Sequence, residues 1–167
     1  MLRPLATLAV AAAMAASGAA LAEPAATKSQ IERGRYLVKV GGCNDCHTAH
    51  YPEKAGQVPE SEWLTGIPVG FQGPWGTTYP ANLRLAFQAM SEEAWLKRAH
   101  QPMRPPMPWF NVAAMTDADL RAMYRYIRSL GPKGAPAPAY AGPGEKVNTP
   151  FIVFVPQNLP PEKTAAR

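Results

Sequence analysis

Cys43-Asn44-Asp45-Cys46-His47 decides how this chain is read. Cys-x-x-Cys-His is the attachment signature of a c-type haem. On one helical turn, positions i, i+3 and i+4 share a face. Cys43 and Cys46 can then each form a thioether with a haem vinyl group while His47 points its imidazole at the iron. No other cysteine occurs in the 167 residues, so no disulfide framework competes for these two. A thioredoxin-like pair would need a βαβ context, which the Gly/Pro-rich surroundings do not offer. Structural zinc would need a second ligand pair, and only His50 and His100 remain. A disulfide across two intervening residues would be strained.

Upstream, residues 1–22 read as a secretory signal peptide: Arg3 in the n-region, an Ala-rich apolar stretch from Leu5 to Ala16, and Ala20-Leu21-Ala22 as cleavage pattern. The mature chain is expected to begin at Glu23 as a soluble periplasmic protein, in the compartment where covalent haem attachment takes place. Loss of Arg3 lowers the formal charge from +5 to +4, and two ionised haem propionates would lower it further. That mild balance argues against nucleic-acid binding, which asks for a stronger basic stripe, and permits docking on an acidic patch of a protein partner.

Downstream of the leader, Ser29 to Val40 has helical periodicity, with Ser29 as candidate N-cap and Gly34 inside, where a close helix crossing would justify it. Residues 51–82 are Gly/Pro-rich and aromatic, without strand alternation, and suit a wrap around a flat cofactor. Ser91 to Ala99 reads as a short helix: Ser91 as cap, Glu92 and Glu93 in the first turn, Lys97 and Arg98 in the last. Thr116 caps the strongest helix, with Leu120, Met123, Tyr124 and Ile127 as its apolar stripe and Gly131-Pro132 as its stop. Residues 132–161 are Pro/Ala/Gly-rich with one apolar patch, Phe151–Val155, expected as an extended arm packed on the domain rather than an edge strand.

A haem iron held by His47 has a sixth position still to fill. Met107 is the first candidate, in Arg104-Pro105-Pro106-Met107-Pro108-Trp109-Phe110, where flanking prolines keep it out of a helix. A thioether is a soft neutral ligand that favours reduced iron. Met103, four residues earlier, is the rival. His100 ends an amphipathic helix, and His50 lies too near His47 to reach the opposite haem face. Met90, Met115 and Met123 read as core. Tyr79 and Asn82 could hydrogen-bond a propionate or orient the methionine sulfur; an ordinary loop with local turn bonds is the alternative. Trp109 and Phe110 are expected to pack at the haem or beneath the last helix.

From Gly34 to Leu130 the order of features resembles the class I c-type cytochromes: helix, Cys43–His47, irregular wrap, short helix, Met-Pro-x-Phe at Met107–Phe110, closing helix from Thr116. Tyr79–Asn82 and Pro105-Pro106-Met107-Pro108-Trp109 further resemble the cytochrome modules attached to periplasmic alcohol and aldehyde dehydrogenases, which usually carry several haems in one chain where this one has a single signature. The resemblance implies an all-α cytochrome c fold whose first and last helices cross around one covalent haem c, spanning residues 23–131, with the arm at 132–167 outside it. The expected function is single-electron transfer, not catalysis, between a periplasmic dehydrogenase or respiratory donor and an oxidase or another cytochrome. A fixed dehydrogenase subunit, or a haem enzyme or gas-binding protein with a labile sixth site, is the alternative.

Overall fold

The crossing of two thirteen-residue helices organises the protein, and Gly34 sets how closely they approach. In the computed structural model, which describes residues 26–158, α1 (Lys28–Val40) packs across α6 (Asp117–Ser129). A Cβ on Gly34 would stand 2.0 Å from the Ala122 carbonyl oxygen and 2.6 Å from Tyr126 Cβ, so only glycine admits this contact. The signal sequence expected at 1–22 lies outside the described residues.

Helix α1 starts slightly earlier than its sequence suggests. Thr27, not Ser29, is the N-cap: Gln30 N donates to Thr27 Oγ1 while Thr27 N donates to Gln30 Oε1, a capping box that also satisfies the cap's own backbone. Thr116 caps α6 as expected, accepting from Asp119 N at 3.2 Å. The Asp119 carboxylate turns to Arg33 of α1 at 2.9 Å, which ties the crossing at that end. Near the middle, Tyr126 and Arg35 both donate to Glu60, each at 2.7 Å, in a 3₁₀ turn at Glu60–Glu62.

Three shorter helices complete the shell: α3 (Leu83–Gln88), α4 (Glu92–Ala99) and α5 (Trp109–Ala113). The core gathers Val38, Leu64, Phe87, Trp95, Leu120, Met123 and Ile127. Trp95 donates its indole N–H to the Leu120 carbonyl, joining α4 to α6. Buried Glu92 adds a second joint, receiving Arg121 at 2.5 Å and Arg125 at 2.8 Å. Arg84 is buried beneath the end of α6, where it donates to the carbonyls of Leu130, Gly131 and Ser61. A cation placed there answers both the unpaired carbonyls and the negative end of the helix dipole.

The all-α expectation needs correcting. Residues 70–78 form a hairpin, β1 (Gly70–Gly73) and β2 (Gly76–Thr78), and Phe151–Val153 add to β1 in parallel as β3, giving the order β2-β1-β3. The arm is thus also an edge strand. Gly76, at φ +97°, lets the hairpin meet the arm: a Cβ would stand 2.3 Å from the Ala141 carbonyl, where Thr77 and Ala141 pair. Phe154 then packs edge-on against Phe71. Phe151 to Val155 leave between 41 and 56% of their surface exposed, so the patch covers the sheet edge without becoming core.

Candidate haem-binding site

Cys43, Asn44, Asp45, Cys46 and His47 make one short helix, α2 (Cys43–His47), as the spacing demands. The helix is fixed from below by side chains that the motif does not advertise. Asn44 is buried and accepts from Thr48 Oγ1 at 2.7 Å, and the same Thr48 oxygen accepts the Leu64 amide at 2.8 Å. Gly66 N donates to the His47 carbonyl.

His47 is 8% exposed, and its Nδ1 lies 2.7 Å from the Ala81 carbonyl oxygen. A carbonyl can only accept, so Nδ1 carries the proton and Nε2 keeps its lone pair. Burial pushes the His47 pKa down, more than the Ala81 bond pushes it up, which holds the ring in its neutral, metal-binding form. Burial also pushes the Cys43 thiol up to about 11 and raises that of Cys46. Both cysteines are unbridged. Raised thiol pKa values are the reverse of what an oxidoreductase Cys-x-x-Cys pair requires. Among the described residues no three His, Cys, Asp or Glu side chains gather into a cage for a bare metal ion. Two protonated thiols and a neutral, oriented imidazole on one turn are the donor set that a covalently attached haem requires, so these residues fit that group.

Met107 borders the same hydrophobic core as Cys43. Among the described residues packed on that core Met107 is present and Met103 is not, although both are half-buried. A hydrogen bond from Met107 N to Arg104 O at 3.2 Å and one from Trp109 N to Met107 O at 2.8 Å fix its turn. Both ring nitrogens of His100 are engaged, Nδ1 with Ala113 O and Nε2 with Asp117. His50 is exposed in a left-handed turn. Met123 is buried, and Met90 and Met115 pack on the core, as expected of them. Phe110 does not pack beneath α6: 61% of it is exposed, edge-on to half-buried Trp109.

Tyr79 and Asn82 line a cleft of about 470 Å³ with Ala81, Leu85, Arg104 and Tyr140. Their polar atoms, however, are engaged by the arm. Tyr79 pairs with the Thr149 hydroxyl. Asn82 caps α3 through Leu85 N and donates to the carbonyls of Lys133 and Ala135. Nothing in the sequence marks the Ala81 carbonyl, because a backbone group leaves no side-chain signal. Asn44 and Thr48 carry a weak one, as polar residues i, i+4 apart, one inside the motif and one directly after it.

A family model described as cytochrome c matches residues 31–131. The alcohol dehydrogenase (quinone) cytochrome c subunit of Gluconacetobacter polyoxogenes is 29% identical over 123 residues, covering 66% of this chain and 24% of that protein. The gluconate 2-dehydrogenase cytochrome c subunit of Pantoea cypripedii is 30% identical over 123 residues, covering 66% of this chain and 25% of that protein. The chain thus spans about a quarter of the length of these two relatives. No solved structure matches. With the family match running from α1 through α6 and around an attachment turn that fits its cofactor, the chain belongs to the cytochrome c family, and its cofactor is covalently attached haem c.

Proposed function

We propose that this chain is a periplasmic mono-haem cytochrome that carries single electrons from a dehydrogenase or respiratory donor to a downstream acceptor, without catalysing a reaction of its own. The observation that carries the reading is α2, where two unbridged cysteines and an oriented neutral histidine share one turn. Haem c, when bound, supplies the one-electron Fe(III)/Fe(II) couple.

The chain's residues do the rest. Cys43 and Cys46 would hold the haem covalently, each through a thioether to one of its vinyl groups. His47 would present Nε2 to the iron, its ring held by the Ala81 carbonyl. Met107 would supply a thioether as the second protein ligand, a neutral soft donor that raises the potential. Two such protein ligands, kept in either redox state, would leave little to reorganise on transfer. Residues 1–22 act as the export signal, and no helix among the described residues is long and apolar enough to cross a membrane.

A second reading, a cytochrome held permanently in a dehydrogenase complex, is favoured by the exposed run Phe151–Val155 and by the subunit names of the relatives. The ligand assignment is tested by the near-infrared charge-transfer band of Fe–S(Met) in the oxidised protein. Met107→Ala is expected to abolish it and Met103→Ala to leave it, and the opposite pattern would assign Met103 instead.

A further inference from the structure

Residues 132–158 lie beyond the family match, yet they are stitched to the segment around Ala81, whose carbonyl meets His47. Asn82 Nδ2 holds the carbonyls of Lys133 (2.7 Å) and Ala135 (3.0 Å), Thr77 pairs with Ala141, and Tyr79 meets Thr149. Between the first two ties, Pro136, Ala137, Pro138 and Tyr140 form one wall of the cleft that Ala81 and Arg104 also line. Two prolines in three residues restrict this wall's backbone.

Tyr140 is anchored at its tip, donating to the Trp75 carbonyl at 2.7 Å. The guanidinium of Arg104 lies 4.1 Å above the centre of its ring, well inside the range of a cation–π contact. Arg104 is also the residue whose carbonyl accepts the Met107 amide. At its start the Met-bearing loop is held by Arg98, which donates to the carbonyls of Gln101 and Pro102. Further along, Arg104 ties the same loop to the arm through Tyr140.

We infer that Tyr140 is a positioning residue for Met107, acting through Arg104, so that the segment after the cytochrome domain steadies the distal ligand. The inference rests on Met107 as iron ligand. Loss of the clasp leaves ligation possible and makes the methionine easier to displace.

The test is imidazole binding to the oxidised holoprotein, followed by the loss of the Fe–S(Met) band, in wild type, Tyr140→Ala, Arg104→Gln, the double variant and Tyr140→Phe. An exposed cation–π contact corresponds to about a two- to five-fold change in a binding constant. Tyr140→Ala and Arg104→Gln are each expected to tighten imidazole binding by that factor. The double variant should go no further than either alone, and Tyr140→Phe, which keeps the ring, should stay near wild type. An unchanged constant in Tyr140→Ala, or additive effects in the double variant, would overturn the inference; so would an effect of Arg104→Gln alone, which would mean that the guanidinium acts on the haem directly. If Tyr140→Ala fails to fold, Tyr140→Leu, which removes the aromatic face but keeps apolar bulk, takes its place: tightening that Arg104→Gln does not increase further supports the clasp, and an unchanged constant overturns it. A wild-type band that survives Met107→Ala would sink the ligand assignment, and the clasp with it. A Met107-dependent band with an imidazole constant indifferent to Tyr140 would sink the clasp alone.

Discussion

At the scale of single residues, the attachment motif was fully legible because its geometry is local: five consecutive positions on one turn define it. What orients His47 was not, since Ala81 is distant in sequence and contributes only a backbone carbonyl. Tyr79 and Asn82 show the same limit. Their polarity marks them as pocket residues, but the Tyr79 hydroxyl and the Asn82 amide nitrogen bond the arm, a pairing set by tertiary approach. Covalent attachment predicts that haem stays with the polypeptide through acid–acetone denaturation, and that Cys43→Ala with Cys46→Ala leaves haem extractable or absent. Haem retained by the double variant after extraction would refute the attachment. Gly34 gives a second residue-scale prediction. Gly34→Ala forces a methyl against the Ala122 backbone and should destabilise the fold by about 3 kcal/mol, the upper part of the usual overpacking range. Denaturant titration that finds the variant as stable as wild type would show that α1 and α6 can separate cheaply.

Between elements, helices were easier to read than strands. α4 and α6 announced themselves through caps and stripes, and Ser91 and Thr116 bond where expected. The sheet escaped notice because its strands are three or four residues long and interrupted by Gly70, Gly73 and Gly76, so no alternation could develop. Glu92 was legible only as a first-turn acid. In the structure it is buried between α4 and two arginines of α6. Burial pushes its pKa up, but the hydrogen bonds and charges of Arg125 and Arg121 outweigh that and leave it lowered. A lowered carboxyl stabilises the fold above its unfolded value of about 4.3 and loses that contribution as pH falls through the lower, folded value. Glu92→Gln should therefore cost about 3 kcal/mol at pH 7, and the gap to wild type should shrink under acid conditions below that carboxyl range. Urea melts at the two pH values would check this; a gap independent of pH would mean that the loss comes from packing rather than charge.

For the whole molecule, the charge balance and the arm make different predictions about partners. A formal charge of +5 on the full chain, +4 without Arg3 of the proposed export signal, with Lys39, Lys54 and Arg104 all exposed, favours transient encounters with an acidic partner. Attraction of that kind is screened over about 8 Å at physiological salt, so electron-transfer rates with the true partner should fall as ionic strength rises, mainly through association. Stopped-flow reduction across a salt series measures it. A flat profile, with co-elution of the partner at high salt, would instead favour a permanent subunit docked through Phe151–Val155.

Electron carriage itself depends on a closed sixth position, which no salt series addresses. The most direct measurement is the absorption spectrum of the reduced holoprotein before and after carbon monoxide, in wild type and in Met107→Ala. With His47 and Met107 on the two axial sites, the wild-type spectrum should be indifferent to the gas while that of Met107→Ala shifts. Ready binding by wild type, to the same extent as by the variant, would contradict the account and make this a haem protein with an open site.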